Sequence, residues 1–151
     1  MSATGETKTT GKVVYNPDTH PMTNKAVPDV STWSENGEGL MWWCHQADGS
    51  LVSGFLGGKH FVTTGAVTVE YQFSGANQPT ELAWSTDHHQ TAWLTGKRLA
   101  QFTHQAQESD SVLMRVRDAD GGTVVARFEL DGLREALQLL PCATKELATT
   151  Y

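Results

Sequence analysis

Val67, Val69, Tyr71 and Phe73 alternate with Thr68, Glu70 and Gln72, the period-two pattern of a strand with one face buried. Shorter apolar runs bounded by Gly, Pro, Asn and Asp predict further strands at about 13–15, 26–33, 40–45, 51–56, 81–85, 90–94, 111–117 and 123–130. Asp48-Gly49 and the segment 118–122 supply hairpin turns between neighbouring runs. Helical spacing enters twice. Leu99, Phe102 and Ala106 share one face of a helix over 97–107, and Leu133, Ala136, Leu137 and Leu140 make the stripe of a second over 132–140. Asp131 is placed to cap that second helix and Pro141 to stop it. Helices that come late and do not alternate with strands predict an α+β fold. Its sheets are expected to be mainly antiparallel, with about eight strands and two helices, the last one C-terminal.

Domain organisation follows from the same pattern. The polar opening, 1–12, reads as a flexible leader, 13–142 as a single domain, and 143–151 as a tail. With 151 residues, the chain is long enough to build one real core.

Side chains alternate across a strand, so Leu40, Trp42 and Cys44 share one face while Met41, Trp43 and His45 share the other. Trp42 is expected in the core. Trp43 then needs a second layer, a helix or another protein to cover it, which makes it a candidate binding anchor with Met41 and His45 beside it. Arg115 and Arg117 share a strand face, and the hairpin register brings Arg127 toward them. Such a ladder suits a carboxylate or an acidic partner.

Charge narrows the partner. Seventeen acidic against eleven basic residues give a net charge of −6, which repels a phosphate backbone, so nucleic acid is not expected as a partner. No apolar run reaches the roughly 18–20 residues of a membrane-spanning helix, so membrane insertion is not expected either. The opening residues lack the apolar core of a secretory signal peptide. That leaves two expectations for location: the cytoplasm, or the periplasm with a leader removed.

Candidate chemistry is sparse. Asp87, His88 and His89 form the densest cluster of metal-ligating types, but adjacent side chains on an extended segment diverge and no second His or Cys group completes a site. The chain has no G-x-S-x-G elbow, and Gly54 to Gly58 lacks the helix start of a phosphate cradle. No catalytic residue, metal or cofactor is therefore expected, and the chain is read as not an enzyme.

The two cysteines, Cys44 and Cys142, lie at the end of the aromatic run and just past the last helical stripe. Their placement allows a staple or two reduced thiols. Several segments then line up in order. They are Pro21-Met22-Thr23-Asn24-Lys25, the aromatic run ending in Cys44, the alternating strand 67–73, and Trp84-Ser85-Thr86-Asp87. Last comes Phe128-x-Leu130-x-Gly132-Leu133-x-x-Ala136-Leu137, followed by Cys142. This order resembles the VasI/TagO family of type VI secretion-associated proteins and related domains encoded in phages and prophages, across roughly residues 13–142. The resemblance implies a Cys44–Cys142 disulfide and a noncatalytic accessory role. Gln72, Phe73 and Ser74 stand where the family carries an Arg and an Asp. Were the cysteines paired, the last helix would pack across the sheet beside the Trp42 strand.

The sequence thus predicts a domain that works by binding another protein, a bacterial secretion or defence component. Within that class, an envelope accessory factor would carry an oxidised cysteine pair, whereas a phage-encoded inhibitor of a host defence enzyme would carry reduced thiols.

Overall fold

The structure, a computed structural model, describes residues 8–17, 28–45, 49–57, 64–87, 91–118 and 122–147. Among these residues, ten strands and three helices follow one another. They begin with β1 (Lys8–Thr10), β2 (Val13–Asn16), β3 (Asp29–Trp33), β4 (Gly39–Cys44) and β5 (Leu51–Leu56). Next come β6 (Thr64–Phe73), β7 (Thr80–Asp87), β8 (Thr91–Leu94), α1 (Gly96–Gln107), β9 (Ser111–Arg117) and β10 (Thr123–Glu129). The chain continues through α2 (Leu133–Leu137) and α3 (Pro141–Leu147).

All ten strands join one antiparallel sheet in the order β1-β2-β3-β4-β5-β8-β7-β6-β9-β10. Up to β5 the sheet grows by simple neighbours. The chain then skips ahead to β6, returns through β7 and β8 to pair with β5, and uses α1 to reach β9 on the far side of β6. That crossover lays α1 over the inner face, where Leu99, Ala100, Phe102, Thr103 and Ala106 are buried.

The period-two pattern decides which side each strand shows to the helices. Val30, Leu40, Trp42, Leu51, Phe55, Val67, Val69, Tyr71, Trp84, Met114, Val116 and Phe128 all point inward and are buried. Phe102 occupies the centre of an aromatic cluster. It packs against Trp42 (6.2 Å between ring centroids), Tyr71 (5.0 Å), Phe73 (5.4 Å) and Trp84 (5.5 Å). The indole N–H of Trp42 donates to the Thr103 hydroxyl at 3.0 Å, satisfying a buried donor. That of Trp84 is buried and has no partner among the described residues.

The sheet curls around this core. Phe55 of β5 and Phe128 of β10 meet edge to face at 6.0 Å, although four strands separate theirs in the sheet. Two bonds close the roll at one end. The Thr32 hydroxyl donates to the Glu129 carbonyl at 2.8 Å, and the Lys12 N–H donates to the Asp131 carbonyl, also at 2.8 Å. Gly11 lies in this contact with φ +62°. A Cβ there would come within 2.4 Å of the Asp131 carbonyl oxygen, so both conformation and space require glycine.

Cys44 and Cys142, 98 positions apart in sequence, are joined as a disulfide with their Cα atoms 5.8 Å apart. The bond ties α3 to β4, beside Trp42. α3 also rests on β5 and α1. Closing a loop of this length stabilises the folded state by about 4–5 kcal/mol on the chain-entropy account.

Five expectations need correction. The antiparallel α+β expectation holds in outline, but the described fold is mainly β, with one continuous sheet of ten strands and three short helices in place of about eight strands and two helices. The segment 1–12 contains β1, because Thr9 and Thr10 pair with Val14 and Val13. Pro141 does not end the last helical region but opens α3, where a missing N–H costs nothing in the first turn. That helix runs to Leu147, past the expected start of the tail at 143, and Ala143 is fully buried. Asp131 is not the cap of α2. Gly132, at φ +91°, occupies the cap, and the Asp131 carbonyl is engaged by Lys12.

Candidate functional site

With the helices on the inner face, the outer face of the sheet is where side chains meet solvent. The register divides it into two regions. On β3, β4, β5 and β8 the outward rows are Asp29, Trp43 and Val52, then Ser31, Met41, Gly54 and Trp93, then Trp33, Gly39, Leu56 and Thr91. On β6, β9 and β10 they are Thr68, Arg117 and Thr123, then Glu70, Arg115 and Val125, then Gln72, Leu113 and Arg127.

In the first region aromatic rings lie over glycines of the neighbouring strand, Trp33 over Gly39 with 49% of it still exposed and Trp43 over Gly54. Trp43 is half-buried because its ring lies over Gly54 on the next strand. A Cβ at Gly54 would approach the indole to 2.6 Å and the Thr91 methyl to 3.2 Å. Among the described residues, neither a second layer nor a helix covers Trp43. A glycine notch does, the arrangement by which aromatic residues rescue glycines in sheets. Met41 is half-buried beside it, and its carbonyl accepts a hydrogen bond from Ser53 at 3.1 Å. His45 is exposed at the end of the hairpin, where its N–H donates to the Ser50 carbonyl and its carbonyl accepts from Gly49, both at 2.7 Å.

The second region is charged. Arg117 donates to the Glu81 carboxylate at 2.8 Å, and Arg115 lies 3.7 Å from that of Glu70. Both pairs are solvent-exposed, so each contributes at most about 1 kcal/mol. Arg127 differs. It sits opposite Leu113 in the hairpin, diagonal to Arg115, and among the described residues no carboxylate lies within ion-pairing distance.

Around Arg127 lie the large apolar side chains that the described structure leaves most open: Trp33 at 49% exposure, Leu113 at 49% and Val125 at 48%. Trp33, Val125 and Arg127 line one groove of about 440 Å³ between β10 and the β3–β4 turn. Leu113 and Arg127 line a second, of about 310 Å³, with Gln72 and Ser74. Exposed apolar residues grouped around an arginine, with Trp present, match the composition of binding hot spots.

The candidate residues therefore fall into two groups on strands that are not neighbours, Met41, Trp43 and His45 on and after β4, and Arg115, Arg117 and Arg127 on the β9–β10 hairpin. Trp33, Leu113 and Val125 escaped the sequence reading. Their signal is in the pattern. Leu113 and Val125 occupy the phase of Arg115, Arg117 and Arg127, so each interrupts an otherwise polar strand face with an exposed apolar side chain.

His88 and His89 lie outside the described residues. Among the described residues, no three His, Cys, Asp or Glu side chains converge on a common point, and no helix is long and apolar enough to cross a membrane. Burial pushes the Tyr71 phenol up from its ordinary value, with a hydrogen bond to Thr80 acting the other way.

Comparison with known proteins finds a likeness of fold. The crystal structure of invasion associated protein B from Bartonella henselae superposes with a TM-score of 0.59, covering 94% of this chain and 99% of that one at 14% sequence identity. No family model matches the chain, and no curated protein matches it. At this identity, what the two proteins share is the architecture.

Proposed function

We propose that this domain is a noncatalytic protein-binding factor that acts through the outer face of its β9–β10 hairpin. The grouping of exposed Trp33, Leu113 and Val125 around Arg127 carries the reading. Apolar area left in water lowers solubility and costs free energy, and a partner that covers it recovers roughly 25 cal/mol per Å². Arg115 and Arg117 share this hairpin face and form its margin, available for specificity, whereas Met41, Trp43 and His45 lie apart from it on and after β4.

The sequence resemblance to VasI/TagO-like type VI secretion-associated proteins supports an accessory role in a bacterial envelope. The Cys44–Cys142 disulfide supports the envelope form of the reading, because such bonds persist in oxidising compartments. The alternative, a phage-encoded inhibitor of a host defence enzyme, expects reduced thiols.

Affinity capture from the native host followed by mass spectrometry tests the proposal. Wild-type protein should recover a partner whose yield falls at least tenfold with Trp33→Ala plus Arg127→Glu and less with Trp43→Ala or Arg115→Ala. Equal recovery by all four proteins, each shown to be folded by its thermal transition, would refute the reading.

A further inference from the structure

Hydrogen-bond parity identifies how a partner would engage this surface. In an antiparallel ladder, alternate residues direct both backbone N–H and C=O toward the neighbour, and the residues between direct theirs away. On the β9 side of β10, the Leu130 N–H donates to the Asp110 carbonyl at 2.9 Å. At the other end, the Gly122 carbonyl accepts from the Asp118 N–H, also at 2.9 Å. Both fix the even-numbered residues as the ones that face β9. Thr123, Val125, Arg127 and Glu129 therefore turn their backbone groups to the free edge of the sheet.

One of these groups is occupied, since the Glu129 carbonyl accepts from Thr32. Among the described residues, the N–H and C=O of Val125 and Arg127 have no partner. The opposite edge of the sheet is managed differently. There β1 is only three residues long and packs beside α2. β10 presents a seven-residue edge beside an open groove, whose far wall is Trp33 with residues 34–36.

We infer that β10 is a strand-addition site: an extended segment of a partner protein pairs with the free edge at Val125 and Arg127. This inference rests on the protein-binding reading above and gives it a mode. The main chain of the segment bonds to the open N–H and C=O groups. An apolar side chain then lies beside Val125 and Trp33, and a carboxylate two residues away faces Arg127, which has no carboxylate within ion-pairing distance among the described residues although Glu35 and Glu129 line the same groove. Groove geometry favours a separate strand over a second copy of this chain. In self-pairing, the edge offered by the second copy is walled by its own β3–β4 turn, and both turns would have to enter the same cleft.

A displayed random heptapeptide library provides the probe. Enriched peptides, synthesised with capped ends, are titrated by fluorescence polarisation against wild-type protein, Val125→Pro and Arg127→Glu. Val125→Pro removes an outward N–H without breaking a bond to β9, so the variant should fold, whereas Ala126→Pro breaks the ladder and should not. Enriched sequences should carry an apolar and an acidic residue two positions apart. Val125→Pro, Arg127→Glu and alternate N-methylation of the peptide should each weaken binding at least tenfold.

No enrichment, or equal affinity for wild type and Val125→Pro together with indifference to N-methylation, overturns strand addition. If those peptides still lose affinity for Trp33→Ala, the protein-binding reading survives the loss of its proposed mode. A dimer in sedimentation velocity that Val125→Pro converts to monomer also overturns the inference, in favour of self-pairing.

Discussion

The two halves of the outer face handle large apolar side chains in opposite ways. Along β4 and β5, Trp43 lies in the notch left by Gly54, and the Cys44–Cys142 disulfide ties the strand below to α3. Along β9 and β10, Leu113 and Val125 stand nearly half open, Arg127 has no described carboxylate within ion-pairing distance, and the edge is held near one end by the Thr32–Glu129 bond. A surface that covers itself has little left to offer. The contrast therefore separates a half built for stability from a half available for binding, and it can be tested from either side.

Removing the brace should have the largest effect. Cys44→Ser with Cys142→Ser takes the constraint from a loop of 98 residues and should lower the unfolding free energy by about 4–5 kcal/mol, measured by chemical denaturation. If β10 is independent of this brace, peptide affinity at its edge should change less than threefold under conditions where the variant remains folded. A parallel loss of stability and affinity would erase the distinction between the halves.

The notch comes next. Gly54→Ala places a methyl 2.6 Å from the Trp43 ring, a distance that requires the indole to move, and overpacking of this kind costs about 1–3 kcal/mol. Trp43→Ala should relieve part of that cost in the double variant, giving a coupling of at least 0.5 kcal/mol by thermal denaturation, on the order seen for contacting residues. Additive losses would mean that Trp43 does not depend on the glycine.

How much of this was visible in the chain depends on the range of the interaction. The strand 67–73 and the helix spanning Leu99, Phe102 and Ala106 could be read because local periodicity reflects a local choice of face. Pairing Cys44 with Cys142 needed the resemblance, because the residues alone allowed a staple or two thiols. The cover over Trp43 was not legible, since it depends on which residue the neighbouring strand places opposite, and Gly54 looks like any strand glycine in sequence. Trp33 was missed for a similar reason: its ring lies over Gly39 of the next strand with 49% still exposed, and its grouping with Val125 and Arg127 depends on the curl that sets β10 beside the β3–β4 turn. α3 was hidden by Pro141, whose role reverses according to whether it follows one helix or opens another.

At the seam, Thr32→Val removes the hydroxyl bonded to the Glu129 carbonyl while keeping the side-chain volume. The expected cost is about 1 kcal/mol, the ordinary net worth of one such bond, seen as a small fall in the midpoint of thermal unfolding. Hydrogen exchange gives the sharper result. Amides near Glu129 should exchange faster, while those of β4 and β5 remain unchanged, because local opening at an edge need not involve the stapled strands.

The smallest expected effect on stability is also the most discriminating. Arg127→Ala removes a side chain with no described ionic partner from an exposed position, so the unfolding free energy should stay within about 0.5 kcal/mol of wild type. Arg115→Ala and Arg117→Ala break exposed pairs with Glu70 and Glu81 and should fall in the same range. Binding should separate the three. An arginine already paired must give up its carboxylate to meet an acidic partner, whereas Arg127 gives up only water. Arg127→Ala should therefore reduce affinity for an acidic strand at least several-fold more than either of the other two, and the difference should shrink as salt is raised. Equal losses for all three would mean that the hairpin acts as a diffuse positive field, with no particular arginine defining the site.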